Sequence, residues 1–346
     1  MPRPPPQADR GSAVRVLLWL AGLAMLAPAA AWLLGQVCRD QWEWSQYLFW
    51  IPACGAAACA AAAFAFLAAV GTRLARGAAA VSAVLAALAV CATLWWDVGW
   101  GVLAASAEPQ TTAGAAPPPA LAAQPEHVVL LHWNGRAPGA TAGQRGKALV
   151  SVPADIYVIT NPGAMNRVAP EDEWKPPGYV MMQRGTVAIL SRWPVINIRL
   201  LGAVNMAPRQ DAAIHLAEVA LPQGPLRILV VDLPSPVELP RAAVAQVVRQ
   251  ILAAHPDLPP VHALVGDVNS LQRSVIFDAL PSTLQAAPPW RCVGWQGTFP
   301  ASLPLWRIDA MRAAPPWELV RSQSVDVGAP GHLSQLGVLQ HQPSGR

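Results

Sequence analysis

Apolar residues run almost unbroken through the first hundred positions, then give way to short apolar stretches separated by turn residues. Three long runs stand out: Val14 to Leu34, interrupted by Arg15 and Pro28; Leu48 to Val70; and Ala78 to Trp96, closed by Asp97. Each approaches the ~20 residues a helix needs to cross a bilayer, and none shows the polar face of a helix on a globule. The first run is long for a signal peptide and two more follow it, so all three are expected to persist as transmembrane helices, at about 14–34, 48–70 and 78–96.

Beyond these runs the period changes. His127–His132, Asp155–Thr160, Thr186–Leu190, Ile214–Leu221, Leu226–Val231, Val261–Val265 and Trp317–Val327 are short apolar or β-branched runs bounded by turn residues, which predicts strands. Leu239–His255 carries Val244, Val247, Val248, Ile251 and Leu252 on one helical stripe. Ser270–Leu280 is a second expected helix, with Ser270 as its N-cap. Residues 106–125 are rich in Ala, Pro, Thr and Gln and read as a semi-extended linker. The expected organisation is a membrane anchor over 1–105, the linker over 106–125 and one water-soluble domain over 126–346.

Composition sharpens this division. The chain is 53% hydrophobic and 13% charged, against roughly 25% charged in an ordinary soluble domain. That excludes a disordered chain. With 24 basic and 20 acidic residues there is no basic excess of the kind a dedicated nucleic-acid binder carries. The five cysteines form no CxxC pair, which speaks against a zinc ribbon or a disulfide scaffold. Arg3, Arg10 and Arg15 precede the first span, and Arg73 and Arg76 lie between the second and third. Positive flanks stay cytoplasmic, so the N-terminus is expected inside and the large domain outside, on the periplasmic side of an inner membrane. Trp32, Trp42, Trp44, Trp50, Trp95, Trp96 and Trp100 then fall at the outer ends of the spans, where an indole sits well. The spans hold few ionisable groups, unlike a transport path.

The candidate chemistry lies at strand ends. Val261–Ser270 is an apolar strand that ends in Gly266-Asp267, with Asn269 two residues further on. Asp267 and Asn269 there can bind a divalent cation and a phosphoryl oxygen, or Asp267 can simply cap the following helix. His132-Trp133-Asn134-Gly135 closes another apolar strand, and also reads as an Asn-Gly turn. Asp309 is a lone acid in an apolar setting, and Pro330-Gly331-His332 precedes the final strand. The acidic run Glu171-Asp172-Glu173 reads as a solvated face.

Taken in order, the segments resemble the endonuclease/exonuclease/phosphatase superfamily, and within it the bacterial membrane-anchored type. They are Trp133-Asn134, the strand from Asp155 to Asn161, Ala188-Ile-Leu-Ser-Arg-Trp-Pro194, the strand ending in Asp232, Gly266-Asp-Val-Asn269, Arg307-Ile-Asp309 and Gly331-His332. The resemblance covers about Glu126 to Gln340. It implies an α/β four-layer sandwich, two β-sheets flanked by helices, with the site where strand ends converge. It further implies Mg²⁺- or Mn²⁺-dependent phosphoester hydrolysis on nucleic acid, phospholipid or inositol phosphate.

Carried over residue by residue, Asn134 helps hold the metal, Asp267 prepares the water and Asn269 meets the phosphate. Asp309 and His332 stand at the family's later aspartate and its C-terminal histidine, Asp309 also as a metal candidate. Three positions are altered. Asn161 replaces the family's principal metal-binding glutamate, Asp232 a phosphate-binding histidine, and Gly331 the aspartate before His332. Asn161 keeps an oxygen but loses the charge that hard cations favour. Asp232 would repel an anionic ester, by on the order of 4 kcal/mol at 4 Å with an effective dielectric of ~20. His332 is expected to lack its supporting carboxylate. The chain is therefore expected to be a membrane-anchored domain with lost or reduced hydrolysis, with Mg²⁺ or Mn²⁺ as cofactor if it is active and none otherwise. The alternative is an active phosphodiesterase in which Asp232, Asp267 and Asp309 rearrange the metal site.

Overall fold

A computed structural model describes residues 10–100, 126–135, 142–163, 174–206, 212–329 and 331–342. The expected linker and the acidic run at 171–173 lie outside the described residues. The chain divides into two compact units, the first ending at Leu94 and the second running on from Trp95.

The first unit is helical: α1 (Arg10–Cys38), α2 (Glu43–Phe49), α3 (Ala53–Val70) and α4 (Arg73–Ala92). Three stretches, Gly11–Cys38, Ala53–Val70 and Arg73–Asp97, are long and apolar enough to cross a membrane. Gly71 ends α3 in the left-handed region, and the Thr72 hydroxyl accepts the Ala75 N–H to start α4. The face that α3 buries is a stripe of small residues, Ala53, Ala56, Ala60 and Ala63, followed by Leu67. Small residues let helix backbones approach where no hydrophobic force separates them from lipid. Gly22 of α1 does the same from the other side: a Cβ there would lie 2.6 Å from Leu67 Cγ.

The second unit is a sandwich. Its larger sheet holds β1 (Val98–Trp100), β11 (Cys292–Trp295), β13 (Trp317–Val325), β14 (Ser334–His341), β2 (His127–Asn134), β3 (Ile156–Thr160), β5 (Val187–Ser191) and β4 (Val180–Arg184), in that spatial order. The smaller sheet holds β10 (Gln285–Ala286), β12 (Asp309–Ala313), β9 (Ala263–Asp267), β8 (Gly224–Asp232), β7 (Ala213–Leu221) and β6 (Val195–Ala203). Val128, Leu130, Ile156 and Val158 of one sheet meet Ile228, Val230, Ala263 and Val265 of the other. Alternate residues face outward, as the strand period requires. Leu131, Trp133 and Ile159 pack with Leu149 of α5 (Ala142–Val150), and Leu229, Val231 and Leu264 with Val244 and Val248 of α6 (Arg241–Ala253). The expected four-layer α/β sandwich is present.

All the expected strands appear, with ends shifted by at most two residues. The strands the pattern misses include β4 and β6, which edge their sheets and are only partly buried. Two expectations are corrected. Ser270–Leu280 is not an α-helix but a loop followed by a 3-10 turn at Val275–Ala279, with Ser274 as its cap. Asn269 sits at φ 49°, so the chain reverses there instead of entering a helix. The third apolar run also ends differently. After a π-helical turn at Thr93–Asp97, Val98–Trp100 pairs antiparallel with β11, so this segment belongs to the sandwich.

Candidate functional site

At one pole of the sandwich the apolar core gives way to a polar layer. In the smaller sheet Asp232 pairs in register with Asp267, and Asp267 with Asp309. In-register neighbours face the same side, so three carboxylates form a row across β8, β9 and β12. All are buried, at 6%, 2% and 0% exposure. From the larger sheet, Asn134 pairs with Thr160 at the ends of β2 and β3. His132 lies two residues before Asn134 on the same face.

Local backbone choices set this geometry. Gly266 has φ 151°, and a Cβ there would fall 1.9 Å from the Val231 carbonyl oxygen. Only glycine lets β9 press against β8 just before Asp267. Asn161 (φ 52°) and Asn269 (φ 49°) occupy the left-handed region that asparagine tolerates better than most residues. Gly331 is also left-handed, at φ 106°, and its carbonyl accepts the Ala301 N–H.

The side chains form one connected network. Asn161 Nδ2 donates to Asn134 Oδ1 at 3.3 Å, and Asn134 Nδ2 donates to Asp267 Oδ2 at 2.7 Å. Asp267 Oδ1 accepts the Asn269 backbone N–H at 2.9 Å, so Asp267 closes a tight turn and caps no helix. The Asn269 amide donates to the Leu233 carbonyl at 2.8 Å. His332 Nδ1 lies 2.9 Å from Asp309 Oδ2, and His332 Nε2 lies 3.9 Å from Asp267 Oδ2. The expectation that His332 lacks a carboxylate is therefore corrected: Gly331 offers none, but Asp309 does, from another strand. His132 Nδ1 lies 3.7 Å from Asp309 Oδ1, and His132 Nε2 lies 3.2 Å from Thr160 Oγ1. The Phe299 ring lies tilted beside His332, with ring centroids 4.9 Å apart.

Burial and charge pull these groups apart in acidity. Burial, reinforced by Asp309, pushes Asp267 up to about 7. Burial also opposes charge on Asp309, but His332 and then His132 outweigh it and hold that carboxyl low. Burial opposes charge on His332 too, yet Asp309, Asp267 and Asp232 raise it to about 9. His132 is driven down to about 4 by burial, against the pull of Asp309. The layer thus contains a cationic imidazole and a neutral one on either side of a carboxylate.

A divalent cation needs oxygen donors. Asn134 and Asn161 bring only neutral amide oxygens, and that of Asn134 already accepts the Asn161 amide, so neither supplies the charge a hard cation favours. Asp267, Asp309 and His332 do fit: one ligand atom from each lies within 4.8 Å of the others.

Every candidate from the sequence lies at this pole. His132 stood in a candidate strand end but was given no role of its own, although the two-residue strand period from Asn134 points to it, and Thr160 was missed.

No family model matches the chain, and no curated protein is similar to it. Several solved structures are. An endonuclease/exonuclease/phosphatase family protein from Bacteroides thetaiotaomicron is 15% identical over 63% of this chain and 96% of its own, with a TM-score of 0.47. The mannosyl-6-phosphatase from the same organism is 15% identical over 61% of this chain and 99% of its own, with a TM-score of 0.45. The human Nocturnin catalytic domain with bound sulfate is 11% identical over 63% of this chain and 96% of its own, with a TM-score of 0.49. The fold itself, two sheets packed face to face with a helix on each outer side and a polar pole where strand ends converge, is the one the sequence resemblance implies.

Proposed function

We propose that this chain is a membrane-anchored phosphoester-binding protein in which metal-dependent hydrolysis is lost or strongly reduced. The three apolar helices would cross the inner membrane, with the N-terminus inside and the sandwich outside. The arginine bias and the outer tryptophans support that orientation. The observation that carries the reading is the amide chain from Asn161 to Asn134 to Asp267. It puts a neutral amide, donating through its nitrogen, where a hydrolase of this type would present a charged metal ligand.

The remaining groups suit binding of a phosphoryl oxygen. Asp309 orients His332 through Nδ1, and the cationic ring presents Nε2 toward Asp267. An ion held by Asp267, Asp309 and His332 would require His332 to give up its Nε2 proton, and would then supply Lewis-acid polarisation of such an oxygen. Asp267, poised near neutrality, is able to take a proton from a water. Asp232 adds a negative charge that weakens anion binding and offsets part of the gain from His332.

A second reading, an active phosphodiesterase with a rearranged metal site, is favoured by the register of Asp232, Asp267 and Asp309 and by the Asp309–His332 pair. Turnover of bis(p-nitrophenyl) phosphate by the full chain in detergent, with and without Mn²⁺, separates the two. Binding without appreciable turnover, and a gain from Asp232→His or Asn161→Glu, is expected. Robust turnover that Asp267→Ala abolishes, with no gain from Asp232→His, would establish the second reading instead.

A further inference from the structure

We infer that His132 is a positioning residue of this pole: a second imidazole whose Nδ1–H fixes the outer oxygen of Asp309 and, through it, the ring of His332. This takes the pole to be the functional site, as proposed above.

His132 occupies a place in β2 where packing alone would put an aliphatic side chain, since Val128 and Leu130 on the same face belong to the core between the sheets. It is 1% exposed. Asp309 Oδ1 and His132 Nδ1 are both buried and make no hydrogen bond to any described residue, yet they lie 3.7 Å apart. Two complementary unpaired atoms so placed are costly apart and favourable together.

The tautomer follows from the surroundings. If Nε2 carried the proton, it would donate to Thr160 Oγ1 and turn the Nδ1 lone pair toward a carboxylate. If Nδ1 carries it, the Thr160 hydroxyl donates to Nε2, and the N–H faces Asp309 Oδ1. Electrostatics select the second arrangement. The carboxylate then has an imidazole N–H toward each oxygen, His332 at 2.9 Å and His132 opposite. Its plane is held from both sides, so the His332 ring stays turned with Nε2 toward Asp267. The role is orientation: the polar contacts of the buried His132 ring run to Asp309 and Thr160.

The test is long-range ¹H–¹⁵N spectroscopy of the ¹⁵N-histidine-labelled full chain in detergent. In the unsubstituted protein His132 is expected to carry a proton on Nδ1. His132→Phe, shown to be folded by its circular dichroism, is expected to move the His332 Nδ1–H proton upfield and speed its solvent exchange at least tenfold. His132→Asn, which keeps an N–H donor, is expected to restore both. A His132 Nδ1 without a proton, or unchanged His332 signals in folded His132→Phe, would overturn the assignment. If His132→Phe does not fold, the tautomer in the unsubstituted protein decides. Bis(p-nitrophenyl) phosphate binding is measured in parallel. Its absence would count against the phosphoester reading while leaving the imidazole result intact.

Discussion

Asn134 donates its amide to Asp267 at 2.7 Å, and this bond joins the last residue of β2 in the larger sheet to the last residue of β9 in the smaller one. It gives a buried carboxyl one of its donors. Asn134→Ala should therefore destabilise the sandwich by about 1–3 kcal/mol, the cost of leaving such a group short of a partner. Asn134→Asp should cost more, because it sets a second carboxylate against the first. Denaturant unfolding followed by tryptophan fluorescence of the full chain in detergent measures both. Equal stability in all three proteins would show that the bond has no energetic role.

Asn161→Glu replaces the amide that occupies Asn134 with a charged oxygen donor. Mn²⁺ affinity should rise at least tenfold, read by calorimetry with the metal alone. An unchanged affinity would mean that Asn161 does not limit metal binding.

The pH dependence of stability has a definite sign at His332. Its folded pKa, about 9, lies above the ordinary 6.5, so its charge stabilises the fold fully below about 6.5, and that contribution is lost as pH rises through about 9. The melting temperature of the unsubstituted protein should exceed that of His332→Gln at pH 6, and the gap should close by pH 10. A gap that widened with pH would reverse the assigned charge.

Gly266→Ala places a methyl group 1.9 Å from the Val231 carbonyl oxygen at φ 151°. Both the close approach and the backbone conformation exclude it. The variant should lose at least 3 kcal/mol or fail to fold, by far more than an ordinary surface substitution. Unfolding midpoints compared with Gly224→Ala, where a Cβ meets nothing within 4 Å, separate the steric effect from backbone strain.

The central strands were legible in the sequence because burial on both faces gives β3, β5, β8 and β9 continuous apolar runs. Edge strands β4 and β6 carry no such pattern, since a half-solvated edge accepts Gln183, Arg184, Asn197 and Arg199. At the site, Asp267 and Asn269 were legible because both lie within one strand end. The partner of His332 was not. A neighbour-based reading looked to position 331, whereas the carboxylate arrives from Asp309, whose strand, β12, lies in the smaller sheet. Spatial neighbours of this kind are decided by sheet order and register, which no local window contains.

The short strand Val98–Trp100 has a practical consequence for cutting the protein into pieces. It covers the outer side of Cys292–Trp295 at the end of the larger sheet. A soluble fragment begun at Glu126 would strip away that cover and leave a row of unpaired backbone amides and carbonyls, a template for self-association. The fragment that keeps the sandwich monodisperse should begin near Trp95, so the short strand that follows the third apolar helix serves the sandwich as a built-in guard against aggregation.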